Sequence, residues 1–188
     1  MIFPSRLRSA APALLLTACA STQTTLTPSP QAPLCDASAS ALVIWAPAWR
    51  ADQKDVPARE AAAAAGLRDF LAQSGCFAQA TLQRVAAVDA AHAQRQAAAA
   101  AAPFSVLLGV EVQELGPVLK LLSSPALVEG GTEVKLRLLA FDPAGAAARR
   151  TFTLHWRHGG AGVVKGVASL PADLQAALRV ALQPGGAP

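Results

Sequence analysis

The sequence predicts a single α+β domain: a strand–helix–strand unit followed by an antiparallel meander, with helices packed on one sheet face and an amphipathic helix at the C-terminal side. Three observations carry this. The chain has 188 residues, enough for one ordinary domain and too few for two. A short apolar run is followed at once by a segment with apolar residues at helical spacing. Beyond Phe104 the apolar residues recur at every second position, the period of a strand.

Ala41-Leu42-Val43-Ile44-Trp45 reads as a buried strand ending near Pro47. Asp55 offers a helix N-cap, with Pro57 and Glu60 in the first turn, where a missing N–H and a negative charge both suit the helix start. Ala63, Leu67, Phe70, Leu71 and Ser74 then share one face, while Arg59, Arg68, Asp69 and Gln73 can lie elsewhere, and Gly75 is the expected stop. Phe77 to Val85 reads as a second strand. Asp89 to Ala102 holds six consecutive alanines before Pro103 and predicts a weakly packed helix or an expanded loop.

Val106, Leu108, Val110 and Val112 share one strand face; Val134, Leu136 and Leu138 alternate with Glu133, Lys135 and Arg137. Asp142-Pro143-Ala144-Gly145 supplies turn chemistry, after which Phe152, Leu154 and Trp156 alternate with Thr151, Thr153, His155 and Arg157. These two strands predict a hairpin with one polar face. Gly159, Gly160 and Gly162 read as a loop. Ser169 can cap a last helix striped by Leu170, Leu174, Ala177, Leu178, Ala181 and Leu182, which Pro184-Gly185-Gly186 would end.

Composition narrows the function. Hydrophobic residues make up 53% of the chain, but 45 of them are alanine, so the core is thin. Aromatic residues reach only 5%, with no Tyr, too few for an aromatic stacking platform. The net charge of +4 includes Arg6 and Arg8 of an N-terminal leader; without them 14 Lys and Arg face 12 Asp and Glu. No basic run exceeds Arg149-Arg150, which excludes the phosphate-binding stripe that nucleic acid requires.

The leader itself is informative. Arg6 and Arg8 precede the uncharged stretch Ala10–Ala18, too short to span a bilayer and flanked as in a secretory signal, so residues 1–18 predict a signal peptide. Leu16-Thr17-Ala18-Cys19 resembles the bacterial lipobox. The resemblance implies that Cys19 becomes an acylated N-terminus, for which more than one chain gives stable anchoring. Ala20 after that cysteine resembles the pattern of Gram-negative lipoproteins sent to the outer membrane. Residues 19–34 contain ASTQTTLTPSPQAPL, with almost nothing to bury, and predict a lipidated N-terminus with a disordered or extended tether. The periplasmic domain is then residues 35–184.

In an oxidising compartment Cys35 and Cys76 are expected to pair, the alternative being two free thiols or a redox pair. Cys35 precedes the first strand and Cys76 follows the first helix, which runs back to the strand's start. Closing a loop of about 40 residues stabilises by about 4 kcal/mol at most in the chain-entropy account.

The search for chemistry returns little. There is no G-x-S-x-G, HExxH or CxxC. His155 and His158 are three apart on a strand and point to opposite faces, so no metal site is expected; His92 has no candidate partner. Gly160-Ala161-Gly162 lacks the spacing and following helix of a dinucleotide fingerprint. Glu111 and Glu114 are a conceivable carboxylate pair but read better as solvated strand residues. Trp45 and Trp156 are expected in the core, Trp49 beside Arg50 at the surface. No cofactor and no catalytic residue is expected.

Gly66-Leu67-Arg68-Asp69-Phe70-Leu71, Ser74-Gly75-Cys76-Phe77, and the strands at Phe104–Leu115 and Val134–Thr153 resemble small envelope lipoproteins. These are the auxiliary lipoproteins of ABC-type lipid transporters and the domain shared by curli-secretion lipoproteins, penicillin-binding-protein activators and the TolB N-terminus. The resemblance bears on the fold; the anchor, the tether, one small domain and no catalytic constellation lead to the expectation of a non-enzymatic accessory or assembly subunit of an envelope complex, lipid-anchored on the periplasmic face of the outer membrane and contacting a protein partner. Trp49, Arg50, His155 and Arg157 are the candidate contacts. The competing expectation is a lipid- or small-ligand-binding module with a groove under movable helices; a hydrolase with scattered residues is a third.

Overall fold

The computed structural model of the chain describes residues 20–121, 128–144 and 147–183. The leader, Cys19, Gly145 and the Pro184-Gly185-Gly186 stop lie outside the described residues. In chain order the elements are β1 (Ser21–Thr27), β2 (Asp36–Pro47), α1 (Val56–Gln73), β3 (Phe77–Arg84), α2 (Ala90–Ala98), β4 (Val106–Leu121), β5 (Val128–Phe141), β6 (Ala148–Ala161) and, after a 3-10 turn at Val167–Ser169, α3 (Leu170–Leu182).

Six strands form one mixed sheet in the order β1-β6-β5-β4-β2-β3. β2 pairs in parallel with β3 and with β4; β4, β5 and β6 pair antiparallel in succession, and β1 closes the far edge antiparallel to β6. The α+β expectation therefore holds, with a C-terminal helix.

β2 explains the layering. Its residues from Ala39 to Ala46 are buried apart from Ser40, so both faces of this strand need cover. Ala41, Val43 and Trp45 face α1 and α3, whose Leu67, Phe70, Leu170, Leu174 and Leu178 complete the main core with Leu136, Leu154 and Trp156. Leu42, Ile44 and Ala46 face the other way and pack with Val85, Val88, Ala93, Leu107, Leu139 and Phe141. Ala93 belongs to α2, so the expectation that all helices share one face is corrected: α1 and α3 cover one face and α2 a corner of the other.

The Ala-rich segment is thus helical only over its first part, held by a single buried alanine and by its cap. The Asp89 carboxylate accepts the His92 N–H at 2.8 Å, and the His92 ring lies 2.9 Å from the same oxygen. His92 therefore has a partner, contrary to expectation: a capping aspartate three residues earlier. At α1, Asp55 occupies the N-cap in the left-handed region (φ 56°) without a side-chain cap bond, and Gly75 follows the helix with φ 66°. Ser169 sits at the N-cap of α3 but bonds Gly166 O and Asp173 rather than a helix N–H.

Two segments read as loop or tether are strand. Ser21–Thr27 pairs with β6 from Ser21↔Gly159 to Thr27↔Thr153. An edge strand with one partly buried large residue, Leu26, looks from sequence like a polar linker. Gly159 and Gly160 also lie in β6, because a Cβ on Gly159 would stand 2.1 Å from Gly130 O. Strands approaching this closely admit only glycine.

The connection from β1 to β2 crosses the end of α3, where the N–H groups of Leu34 and Cys35 donate to Leu182 O. There Cys35 and Cys76 form a disulfide, Cα atoms 4.6 Å apart and 41 residues apart in sequence. It ties the start of β2 to the α1–β3 junction. Replacing both cysteines by serine is expected to lower unfolding free energy by about 2–4 kcal/mol, seen as a fall in thermal midpoint that added reductant reproduces in the parent protein.

Candidate interaction surface

Alternation decides what the sheet shows to solvent. With Val134, Leu136, Leu154 and Trp156 turned to the main core, Glu133, Lys135, His155 and Arg157 project from the opposite face, beyond the corner that α2 covers. This yields a polar ladder across β1, β6, β5 and β4. Lys135 lies opposite His155 and Glu133 opposite Arg157. On β1, Thr25 and Gln23 stand opposite the same two β6 residues.

The ladder is internally paired. The His155 Nε2 atom lies 2.6 Å from Glu133 Oε1, and Lys135 Nζ approaches the same oxygen at 3.6 Å. Arg137 reaches Glu111 at 3.5 Å, and the Gln113 amide donates to Glu111 at 2.8 Å. A register shift between Val112 and Glu114 turns Glu114 to the face that carries Glu111. The two carboxylates nevertheless serve different cations: Glu111 takes Arg137, whereas Glu114 takes Arg59 at 3.1 Å and Arg50 at 3.4 Å.

Arg59 is the residue sequence reasoning placed wrongly. Expected off the apolar face of α1, it is 9% exposed. β2 accompanies β4 only as far as Val112, so the outer edge of β4 is free beyond that point. The Arg59 guanidinium fills this gap: Nη1 donates to Leu115 O and to Glu114, and Nε donates to Lys54 O at 2.8 Å. A Cβ at Gly116 would stand 1.6 Å from Nη1, so the glycine makes the room. No motif signals such a pair; the bulge that creates it is a matter of sheet register.

A second charge is buried at the start of α3. Asp173 accepts from Thr132 Oγ1 at 2.6 Å, from Ser169 Oγ at 3.0 Å and from the Lys165 ammonium. Both side chains of the Lys165–Asp173 pair are largely buried. With its oxygens so engaged, this carboxylate fixes α3 onto β5.

Of the four expected contact residues, three lie on one surface. Arg50 is exposed and borders a shallow groove with Ala48, Gln113, Glu114, Glu133 and Lys135. His155 meets that groove through Glu133. Arg157 lies one cross-strand pair further on, beside a small recess lined by Ser21, Gln23, Glu129, Thr132 and His158. Trp49 departs from the group: it is half-buried against the main core, and its indole N–H is buried with no partner. His158 stacks near Trp156, ring centroids 5.8 Å apart, on the face opposite His155. Among the described residues, no cluster of three or more His, Cys, Asp or Glu could hold a metal.

Three carboxylates are held below their ordinary value, at the α2 cap, the β5–β6 turn and the start of β2. Asp89 is lowered by the His92 backbone N–H and then its ring, Asp142 by the Arg149 guanidinium and then the Ala144 N–H, and Asp36 by the Ser38 hydroxyl and then its N–H. None belongs to the ladder, so these shifts mark local folding rather than chemistry. A carboxyl lowered on folding contributes stability above its unfolded value near 3.8, and that contribution is lost as pH falls. The amide resonance of His92 is therefore expected to titrate with Asp89, at a midpoint below 3.8, when followed by NMR.

The Arg59–Glu114 pair should dominate local stability. Arg59→Ala leaves Glu114 with only the exposed Arg50 and Leu115 O without its donor, and is expected to destabilise by about 1–3 kcal/mol in denaturant unfolding. Arg50→Ala, at the exposed end of the same network, should change stability by less than about 1 kcal/mol.

No protein-family model matches the chain, and no curated protein does. Among solved structures, the PelC dodecamer from Paraburkholderia phytofirmans is similar at 17% identity and a TM-score of 0.45, covering 88% of this chain and 98% of that one. The protein XCC0632 from Xanthomonas campestris, of family model DUF330, gives 13% identity and 0.39 over 84% of this chain and 86% of that one. Lipoprotein GNA1162 from Neisseria meningitidis gives 16% and 0.37 over 75% and 96%. At these scores the similarities assign neither family nor function to this chain.

Proposed function

We propose that the chain is a lipid-anchored envelope protein, held on the periplasmic face of the outer membrane, that works without catalysis as an accessory or assembly subunit of a larger complex. The observation that carries the reading is the run Leu16-Thr17-Ala18-Cys19 behind a charged, apolar leader, followed by a domain with a disulfide. Acylation of Cys19 supplies the anchor and Ala20 favours the outer membrane. Among the described residues no helix is long and apolar enough to cross a membrane, so the lipid would be the attachment. The polar ladder is open to a partner, because among the described residues no helix covers that part of the sheet, and its paired charges suit the polar rim of a contact.

Mass analysis of the protein recovered from Gram-negative membranes is expected to give Cys19 as the first residue, carrying diacylglycerol; an intact leader or a free thiol there overturns the reading. Solubilised membranes should yield a specific partner by co-purification. The double substitution Arg50→Gln with Arg157→Gln, which removes both charges without setting like charges against Glu114 and Glu133, should reduce that recovery at least several-fold while leaving the thermal midpoint within a few degrees. Undiminished recovery would place the contact elsewhere.

A further inference from the structure

We infer that the end of the sheet where β1 begins rests on the membrane leaflet that holds the Cys19 lipid, so that the domain is fixed in orientation rather than swinging on a leash. The inference builds on the acylation of Cys19 proposed above. Ser21 is already paired, to Gly159 on β6. A single residue, Ala20, separates it from Cys19, a reach of at most about 7 Å when extended. The row continues from Gly159 to Gly131 on β5 and from Gly131 to Val118 on β4. Four strands thus meet in one row about 14 Å wide, at roughly 4.8 Å per strand, beyond which β4 and β5 continue paired to Leu121 and Val128.

The large apolar side chains left exposed among the described residues are Leu119, Val164 and Val167, at 61%, 77% and 41%. Leu119 and Val164 fall at this margin. Leu119 follows Val118 and lies opposite Gly130. Val163 O lies against the same glycine, which places Val164 beside Leu119, and Val167 begins the turn into α3. Isolated exposed apolar residues need no account. Their concentration within one row of the anchor does, and a bilayer surface is the occupant that the lipidated residue brings there. Lys165, between the two valines, turns its ammonium inward to Asp173, so its charge does not separate them; the polar groups at this row, Ser21 and Glu129, line the recess on the other face.

The test uses the full acylated protein in vesicles of phosphatidylethanolamine and phosphatidylglycerol bearing brominated acyl chains. An environment-sensitive fluorophore is attached in Val164→Cys at the margin or in Ala144→Cys, an exposed turn residue between β5 and β6 at the other end of the sheet. The disulfide keeps Cys35 and Cys76 from reacting. The inference expects blue-shifted emission and several-fold stronger bromine quenching at 164 than at 144. Acylated protein that floats with the vesicles but shows equal or no quenching at both positions overturns this inference alone. A shift at 164 that follows protein concentration and not brominated lipid also overturns it, by making the margin a contact between copies. Protein with an unmodified Cys19 that fails to float overturns the proposed anchoring and this inference with it.

Discussion

The structure is organised by one strand that cannot be left half-wet. β2 carries apolar side chains on both faces from Ala41 to Ala46, and burying them demands a parallel neighbour on each side and a layer above and below. A Leu, Ile or Trp hidden from water contributes roughly 1.5–3 kcal/mol, so exposing either face would forfeit several such terms at once. α1 and α3 meet the demand on one side. α2, with its weaker grip, meets it on the other together with Val85, Val88 and Phe141. Beyond the corner that Leu107, Leu139 and Phe141 complete, the second face of β5 and β6 carries the polar ladder.

The parts of this arrangement that pattern could reveal were those with a strong period. β2, α1, the β5–β6 hairpin and α3 all announce themselves through apolar spacing, and the disulfide follows from where two cysteines stand relative to a strand and its returning helix. What escaped was set by pairing rather than by side-chain chemistry. β1 is a run of Ser, Thr and Gln whose strand character exists only beside β6. Gly159 and Gly160 look like a loop until the closeness of β5 is known. The Asp89–His92 contact is hidden in the sequence because both residues lie in one Ala-rich stretch, and only a helix beginning at Ala90 brings them together. The burial of Arg59 depends on a bulge after Val112 and on β2 ending early, and neither is written locally.

Both buried ion pairs sit where a backbone junction would otherwise be poorly satisfied. Arg59 serves the uncovered edge of β4 past its last contact with β2, giving Leu115 O a donor that no neighbouring strand supplies. Asp173 gathers Thr132, Ser169 and Lys165 where the chain leaves β6 and turns into α3. Taking charges out of water is expensive unless every oxygen finds a partner, and each carboxylate here has several. Their contribution lies less in net energy than in fixing which strand end and which helix end meet. The candidate contact residues are rooted in the same frame: Arg50 shares Glu114 with Arg59, and His155 shares Glu133 with Lys135.

The pairing of the first strand with the last has a consequence for how the molecule is made. Ser21 and Gly159 stand 138 residues apart. A polypeptide emerging from the ribosome N-terminus first therefore exposes β1 while nearly the whole chain is still to be synthesised, and the strand has nothing to zip onto until β6 exists. Contacts this distant in sequence form slowly. The sheet edge that β1 closes therefore stays open, and the N-terminal end of the described chain unlatched, until nearly all of the sequence has been made.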